Sequence, residues 1–450
     1  MIKATVDFND ITGVVKPMHG VNNGPIYKPN AVTQNMQNME AYKVAGFPFA
    51  RTHDSAFCNA YGGPHTIDVL NIFTDMDKDP YDENNYDFIC TDAYIQAILA
   101  SGAQVIYRLG TSIEHGVKKY GCKPPKDYHK YAVVCEHIIR HYTEGWANGF
   151  NYDIKYWEIW NEPDTHVDGL AHPEDPSWTG TPEQFFEFFN VMYNHLKKCF
   201  PKLMIGGPAA GGPWRKWVDD FLSSIESDTL DFFSWHSYTD NPRNYVKYAK
   251  IVKEKLHNHG YDNTLTMLGE WNYAKGWLGQ DFVDTILHIK GIKGASFSAA
   301  AMSCCQYADV EILLYYDARP SGFNGMFSTD VCSILLKGYY PFYNFNKLYK
   351  IGQSSSVNCE NEDVFLCGAY NDGKGGVLIT HFNNDDDTPE KKVDLSVLTG
   401  GGNYNVKYYL LDENHDNELI KEQVVSGEEI IIALDMPLFT CYYIEFEKID

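Results

Sequence analysis

One pattern recurs along most of the chain: a short apolar run that ends in polar residues, followed by an amphipathic stretch of helical length. Residues 13–23 carry Val14 and Val15 and end in Met18-His19-Gly20-Val21-Asn22-Asn23. Residues 47–54 end in Arg51, His53 and Asp54. Further runs lie at 104–110, 153–162, 203–207, 230–236, 264–270 and 311–317, with Tyr238 just beyond the sixth. Helical patterns fill the intervals at 36–45, 86–101, 125–142, 182–200, 214–225, 244–259 and 281–307. Eight strand–helix repeats with polar residues gathered at the strand ends predict the α/β class and a (β/α)8 TIM barrel over residues 16–350.

After about residue 350 the period changes. Short strands are expected at 364–367, 376–381, 404–411, 429–434 and 441–446, divided by turns rich in Asn, Asp and Gly. They predict an accessory antiparallel β-sandwich over residues 351–450. Residues 1–15 alternate weakly through Ile2, Ala4, Val6 and Phe8, and are expected to join that sandwich as an edge strand. The acidic run Asp385-Asp386-Asp387 is read as a solvated turn rather than a calcium site.

Two of the strand ends carry the chemistry. Residues 153–164 read Asp-Ile-Lys-Tyr-Trp-Glu-Ile-Trp-Asn-Glu-Pro-Asp. The aromatic and β-branched residues suit a buried strand, and Pro163 stops its hydrogen-bond ladder. Glu162 therefore stands at the strand end beside Asn161 and under indole rings, where apolar neighbours disfavour a carboxylate's charged form. Residues 264–272 repeat the design and end in Glu270, Trp271 and Asn272. Two carboxylates at one barrel mouth are the parts needed for glycoside hydrolysis.

Bulk properties narrow the partners. The formal charge of −23 argues against nucleic acid and against an anionic membrane surface. Aromatic residues make up 15% of the chain, and rings of that kind suit the C–H faces of sugars. The 11 cysteines are odd in number, irregularly spaced and without a Cys-x-x-Cys pair, so they read as reduced thiols. Neither a leader peptide nor a membrane-length apolar run is evident, and a cytoplasmic location is expected. No Gly-x-Gly-x-x-Gly follows a strand, so no dinucleotide cofactor is expected. A catalytic metal is not expected either. His19, His53, His115 and His236 are candidates to gather at the mouth, but the first strand lacks the His-x-His of metal-dependent barrels.

These motifs resemble clan A glycoside hydrolases, and within the clan glycoside hydrolase family 39, which holds β-xylosidases and α-L-iduronidases. Trp160-Asn161-Glu162-Pro163 looks like the clan's acid/base strand, and Gly269-Glu270-Trp271-Asn272 like its nucleophile strand. Arg51-Thr52-His53 is similar to the family's Arg-x-His. Residues 206–209 and 231–238 resemble its fifth and sixth strands. The resemblance implies a retaining double displacement with Glu270 as nucleophile and Glu162 as acid/base. It implies Asn161 on the sugar 2-hydroxyl, Tyr238 against Glu270, and His236 on the sugar or on Tyr238. Arg51 is expected either to pair with Glu270 or to serve the barrel's structure. His53, Asp54, Asn22 and Trp271 complete the expected substrate contacts.

The sequence departs from the xylosidase pattern at residues 108–114 and around 57–64, so the sugar stays open. Arg108, Lys275 and Arg319 are candidate cations for a uronate. A β-xylosidase-like exo-enzyme on a neutral glycoside is the leading expectation. Arabinosidase, iduronidase-like or disaccharide-releasing activity, transglycosylation and a silent carbohydrate-binding barrel are the alternatives. A homo-oligomer is compatible with the sequence.

Overall fold

The structure, a computed structural model, describes residues 1–27, 37–54, 66–111, 121–165 and 176–449. Its centre is a closed barrel of parallel strands: β2 (Gly20–Asn22), β3 (Phe49–Arg51), β4 (Gln104–Leu109), β5 (Tyr156–Ile159), β6 (Met204–Ala210), β7 (Phe232–Thr239), β8 (Leu265–Tyr273) and β9 (Ile312–Tyr315). The barrel closes where β9 pairs with β2, Gly20 against Leu314 and Val21 against Tyr315. Gly20 is required there, because a Cβ would stand 2.7 Å from the Leu313 carbonyl oxygen.

Each strand was expected within a few residues of where it lies, and so were most helices. These are α1 (Met39–Ala45), α2 (Ile89–Ala100), α3 (Tyr128–Thr143), α4 (Pro182–Cys199), α5 (Lys216–Ser224) and α6 (Arg243–Asn258). The start of α4 shows why. Thr181 Oγ1 accepts from the Gln184 N–H, Gln184 Oε1 accepts from the Thr181 N–H, and Pro182 opens the helix. Such a box contributes about 1 kcal/mol.

The single helix expected over 281–307 is two. α7 (Gly279–Lys290) and α8 (Ile292–Cys305) part at Gly291, whose backbone is extended. The two pieces meet different surroundings. α7 keeps Leu278, Val283 and Leu287 exposed beside or along it, whereas α8 is buried nearly all round. α8 and α9 (Tyr339–Ile351) pack between the barrel and a second sheet.

That sheet has nine strands in the order β15-β14-β17-β12-β11-β10-β1-β13-β16. They are β1 (Ile2–Val14), β10 (Gln353–Cys359), β11 (Val364–Asn371), β12 (Lys374–His381), β13 (Lys391–Leu398), β14 (Asn403–Leu411), β15 (Asp416–Ser426), β16 (Glu429–Met436) and β17 (Cys441–Ile449). Strands from opposite ends of this order share one core, in which Val6, Phe8, Leu395 and Ile432 meet Val406, Ile444 and Phe446. The sheet therefore folds over itself into two layers. β1 is not an edge strand. It pairs antiparallel with β10 and parallel with β13, so both rows of its backbone groups are used.

Asp386 in the acidic turn pairs with Lys293 at 2.7 Å. Every described cysteine is a free thiol. Among the described residues no helix is long and apolar enough to cross a membrane.

Candidate active site

The lower barrel interior is apolar, filled by Ile106, Phe232, Met267, Ile312 and Leu314. Strand alternation then brings polar side chains inward toward the carboxyl ends. Arg51 stands at the centre of this polar layer and is fully buried. Its Nε donates to Glu158 Oε2 at 2.6 Å, and its Nη2 donates to Asn161 Oδ1 at 2.8 Å. Its Nη1 donates to Asn22 Oδ1 and to Glu270 Oε1, both at 2.9 Å. One guanidinium thus ties together the ends of β2, β3, β5 and β8. Glu158, which compensates it from below, was not anticipated. It is the inward-facing residue between Trp157 and Ile159, and the alternation of that strand was the available signal.

Glu270 owes its direction to an irregularity. Met267 faces the barrel interior, so strict alternation would point Glu270 outward. The register of β8 slips against both neighbours between Leu268 and Trp271, and the slip turns Glu270 inward. Beside Arg51, Glu270 Oε2 accepts from the Tyr238 hydroxyl at 2.7 Å, and Oε1 lies 3.4 Å from His53 Nε2. Burial alone would raise this carboxyl. His236, His53 and Arg51, together with the Tyr238 hydroxyl bond, outweigh it and hold the group down at about 2. Glu270 is set up as an anion.

Glu162 approaches from the far side of the mouth, just past the end of β5, with β6 and β7 between that strand and β8. Trp160 and Glu162 have φ of 71° and 45°, in the left-handed region that non-glycine residues seldom occupy. The turn is fixed by the Glu162 N–H donating to the Ala209 carbonyl at 3.0 Å. It is fixed again by Asp164, whose carboxylate accepts the N–H groups of Gly211 and Gly212 at 2.7 and 3.0 Å. Glu162 Oε1 meets His236 Nδ1 at 2.7 Å, and the same nitrogen is 3.7 Å from Glu270 Oε2. One ligand-type atom from each of Glu162, His236 and Glu270 lies within 4.8 Å of the others. A cation held there would face the Arg51 charge, and both Glu270 oxygens already accept donors. The donor set therefore suits a carboxylate pair better than a metal.

His53 and Asp54 reach the same cluster, with 3.3 Å between His53 Nδ1 and Asp54 Oδ2. Arg319 Nη1 bonds Asp54 at 2.9 Å, and its Nε lies 3.1 Å from Asp317. Burial pushes the Asp317 carboxyl up to about 6 against the pull of Arg319.

Two expected substrate contacts are placed otherwise. Trp271 follows Glu270 and so points away from the mouth, stacking on Phe342 and meeting Tyr315 edge-on in the core. Its ring is fully buried and has no face for a sugar. Asn22 gives its amide to the Gly269 and Leu314 carbonyls and its oxygen to Arg51, a bracing role below the mouth. His19 is also absent from the cluster. It packs against Phe345 and Tyr349, and burial lowers it to about 3. His115 and the departures at 57–64 and 112–114 lie outside the described residues.

An unanticipated aromatic wall borders the mouth. Trp277 meets the Tyr238 ring edge-on at 5.1 Å and lies 5.8 Å from Phe323, yet remains 41% exposed. Its loop is pinned by Thr285 Oγ1, which accepts from the Lys275 N–H at 2.9 Å. No strand pattern marks a loop tryptophan of this kind.

A closed (β/α)8 barrel with paired glutamates at the ends of β5 and β8, backed by a second sheet, defines the class: the architecture is that of the barrel glycoside hydrolases. The family profile "Glycosyl hydrolases family 39" matches residues 61–264. Within the class, the chain resembles that family and its clan A relatives. A β-xylosidase of Geobacillus stearothermophilus is 26% identical over 185 residues, which is 38% of this chain and 34% of that protein; the match thus spans about a third of the relative's length. The fold also matches a glucosidase from Croceicoccus marinus, with a TM-score of 0.78 and 20% identity over 100% of this chain and 99% of that one. A monomeric beta-xylosidase from Caulobacter crescentus gives a TM-score of 0.70 and 16% identity, covering 100% of both chains.

Proposed function

We propose that the protein is a retaining, exo-acting glycosidase, β-xylosidase-like, that works by double displacement. The observation that carries this reading is the approach of Glu162 and Glu270 around His236 within 4.8 Å, with Glu270 fixed as an anion by Arg51. Retaining enzymes need their carboxyls about 5–5.5 Å apart, whereas inverting enzymes leave room for a water between them. Glu270 attacks the anomeric carbon while Glu162 gives a proton to the leaving oxygen. Forming the glycosyl-enzyme removes the Glu270 charge, and Glu162 then takes a proton from the water that releases the sugar. Among the described residues Asn161 Nδ2 has no hydrogen-bond partner although it is buried, while its Oδ1 is held by Arg51. It is free to donate to the sugar 2-hydroxyl.

A neutral sugar is favoured over a uronate. The three candidate cations are already bound to carboxylates: Arg108 to Asp68 at 2.8 Å, Lys275 to Asp284 at 2.7 Å, and Arg319 to Asp54 at 2.9 Å. The test is a panel of para-nitrophenyl glycosides, with the anomer first released followed by NMR. Turnover of β-D-xyloside with retention is expected. Turnover of α-L-arabinoside or α-L-iduronide instead would replace the sugar assignment, inversion would refute the mechanism, and a blank panel would favour an endo-acting or disaccharide-releasing enzyme or a silent binding barrel.

Two variants refine the reading. Glu162→Ala is expected to leave activated aryl glycosides within about tenfold of wild type in kcat/KM, while poor leaving groups lose about 10²–10⁴-fold. Equal loss on both would remove Glu162 from the acid role. Trp277→Ala is expected to raise KM on disaccharides about tenfold, the effect of losing roughly 1.4 kcal/mol of ring contact. An unchanged KM would deny Trp277 contact with substrate.

A further inference from the structure

On the outer layer of the barrel, α3 and α4 bring three metal-ligating side chains of different kinds to one point. His195 and Cys199 are spaced i, i+4 on α4 and share a face. Glu136 reaches them from α3. His195 Nε2 lies 2.6 Å from Glu136 Oε2 and 3.8 Å from Cys199 Sγ, and all three donor atoms lie within 4.8 Å of one another. With metal–ligand distances of about 2.0–2.3 Å, neighbouring donors of a tetrahedral zinc site stand roughly 3.3–3.7 Å apart. The His195–Cys199 separation of 3.8 Å is already close to that spacing, and a sub-ångström opening of the His195–Glu136 contact would bring that pair to it as well.

The surroundings add to the case. Arg140 Nε donates to Glu136 Oε1 at 2.8 Å, which leaves Oε2 turned toward His195, the outer support expected of a carboxylate ligand. A single ring nitrogen faces both the carboxylate and the thiol and can make a full hydrogen bond to only one of them. The side chains of His195 and Glu136 are partly exposed, so a fourth position is open to water. Thiolate, imidazole and carboxylate together select a zinc-class ion over calcium or magnesium.

We propose that Glu136, His195 and Cys199 form a zinc-class metal site that clamps α3 to α4, with water as the fourth ligand. The site is separate from the catalytic mouth and does not depend on the glycosidase reading. Because α3 and α4 stand on either side of β5 in the chain, the clamp braces the strand that presents Glu162.

The test is cobalt titration of the full-length, chelator-treated protein, followed by thiolate-to-cobalt charge-transfer absorption and displacement by zinc. One equivalent is expected to give the band. Cys199→Ser should abolish it, His195→Gln should weaken cobalt binding at least tenfold, and Glu162→Gln should leave it intact. Zinc should raise the Tm of the wild type and not that of Cys199→Ser. No band in the wild type, a band that survives Cys199→Ser, or cobalt bound without the thiolate band would overturn the site. His195→Gln is the fallback should Cys199→Ser fail to fold.

Discussion

Glu270→Ala is expected to lower turnover by about 10⁴-fold or more on every substrate, equivalent to roughly 5.5 kcal/mol of transition-state stabilisation. The argument rests on how completely the protein prepares this group. Arg51, Tyr238 and His53 surround its two oxygens, and together with His236 they hold it ionised despite burial. Truncation leaves a small cavity facing the anomeric carbon, lined by donors selected for an anion. Azide at high concentration should occupy it, restore turnover and yield a glycosyl azide of inverted configuration. Failure of azide to rescue, or residual activity within tenfold of wild type, would end the assignment of Glu270 as nucleophile.

Arg51→Met should cost about 3–5 kcal/mol of stability, the size expected when one partner is removed from a buried ion pair. Methionine fills much of the volume but takes from Glu158 and Glu270 the guanidinium that both of them bind. Urea denaturation measures the loss, and a change below about 1 kcal/mol would mean that the carboxylates are compensated elsewhere. The pH dependence carries a second signature. The Glu270 carboxyl is depressed from its ordinary 4.5 to about 2 in the folded state. It therefore contributes stability that is fully present above about pH 4.5 and is lost as the pH falls toward 2. In Arg51→Met part of that acid loss should disappear, because part of the depression has already gone.

The barrel and its two carboxylates were legible because strands buried on both faces write themselves as apolar runs, and function gathers where those runs end. What one strand does to its neighbours was less legible. Trp271 looked like a sugar platform because it adjoins Glu270, but in a strand the adjacent residue faces the other way. Asn22 sits at the right strand end, yet its polar atoms are occupied by partners from other strands, and no single stretch reveals that; the pairing of Arg51 with Glu270, in contrast, was among the expectations. The β8 slip that aims Glu270 inward is set by packing across two interfaces. In the second sheet, β10, β13 and β15 were missed. β10 is rich in serine, and β15 is exposed along most of its length, so the periodic burial that marks a strand is faint there. Gly291 divides α7 from α8 without a proline, and a run that looks uniformly helical conceals two different environments.

The placement of β1 has a consequence for how the molecule is made. Val14 pairs with Gln353, so β1 waits for a partner that is synthesised 339 positions later. At synthesis rates of about 5–20 residues per second, that wait lasts roughly 17–70 seconds, during which the whole barrel emerges. Ala4, Val6 and Phe8, all buried in the finished sheet, stay uncovered meanwhile on a strand with both edges open. β1 thus carries an adhesive face until its partners are made, and the alternating Lys3, Thr5, Asp7 and Asn9 set polar side chains between the apolar ones, the pattern that blunts an unpaired strand.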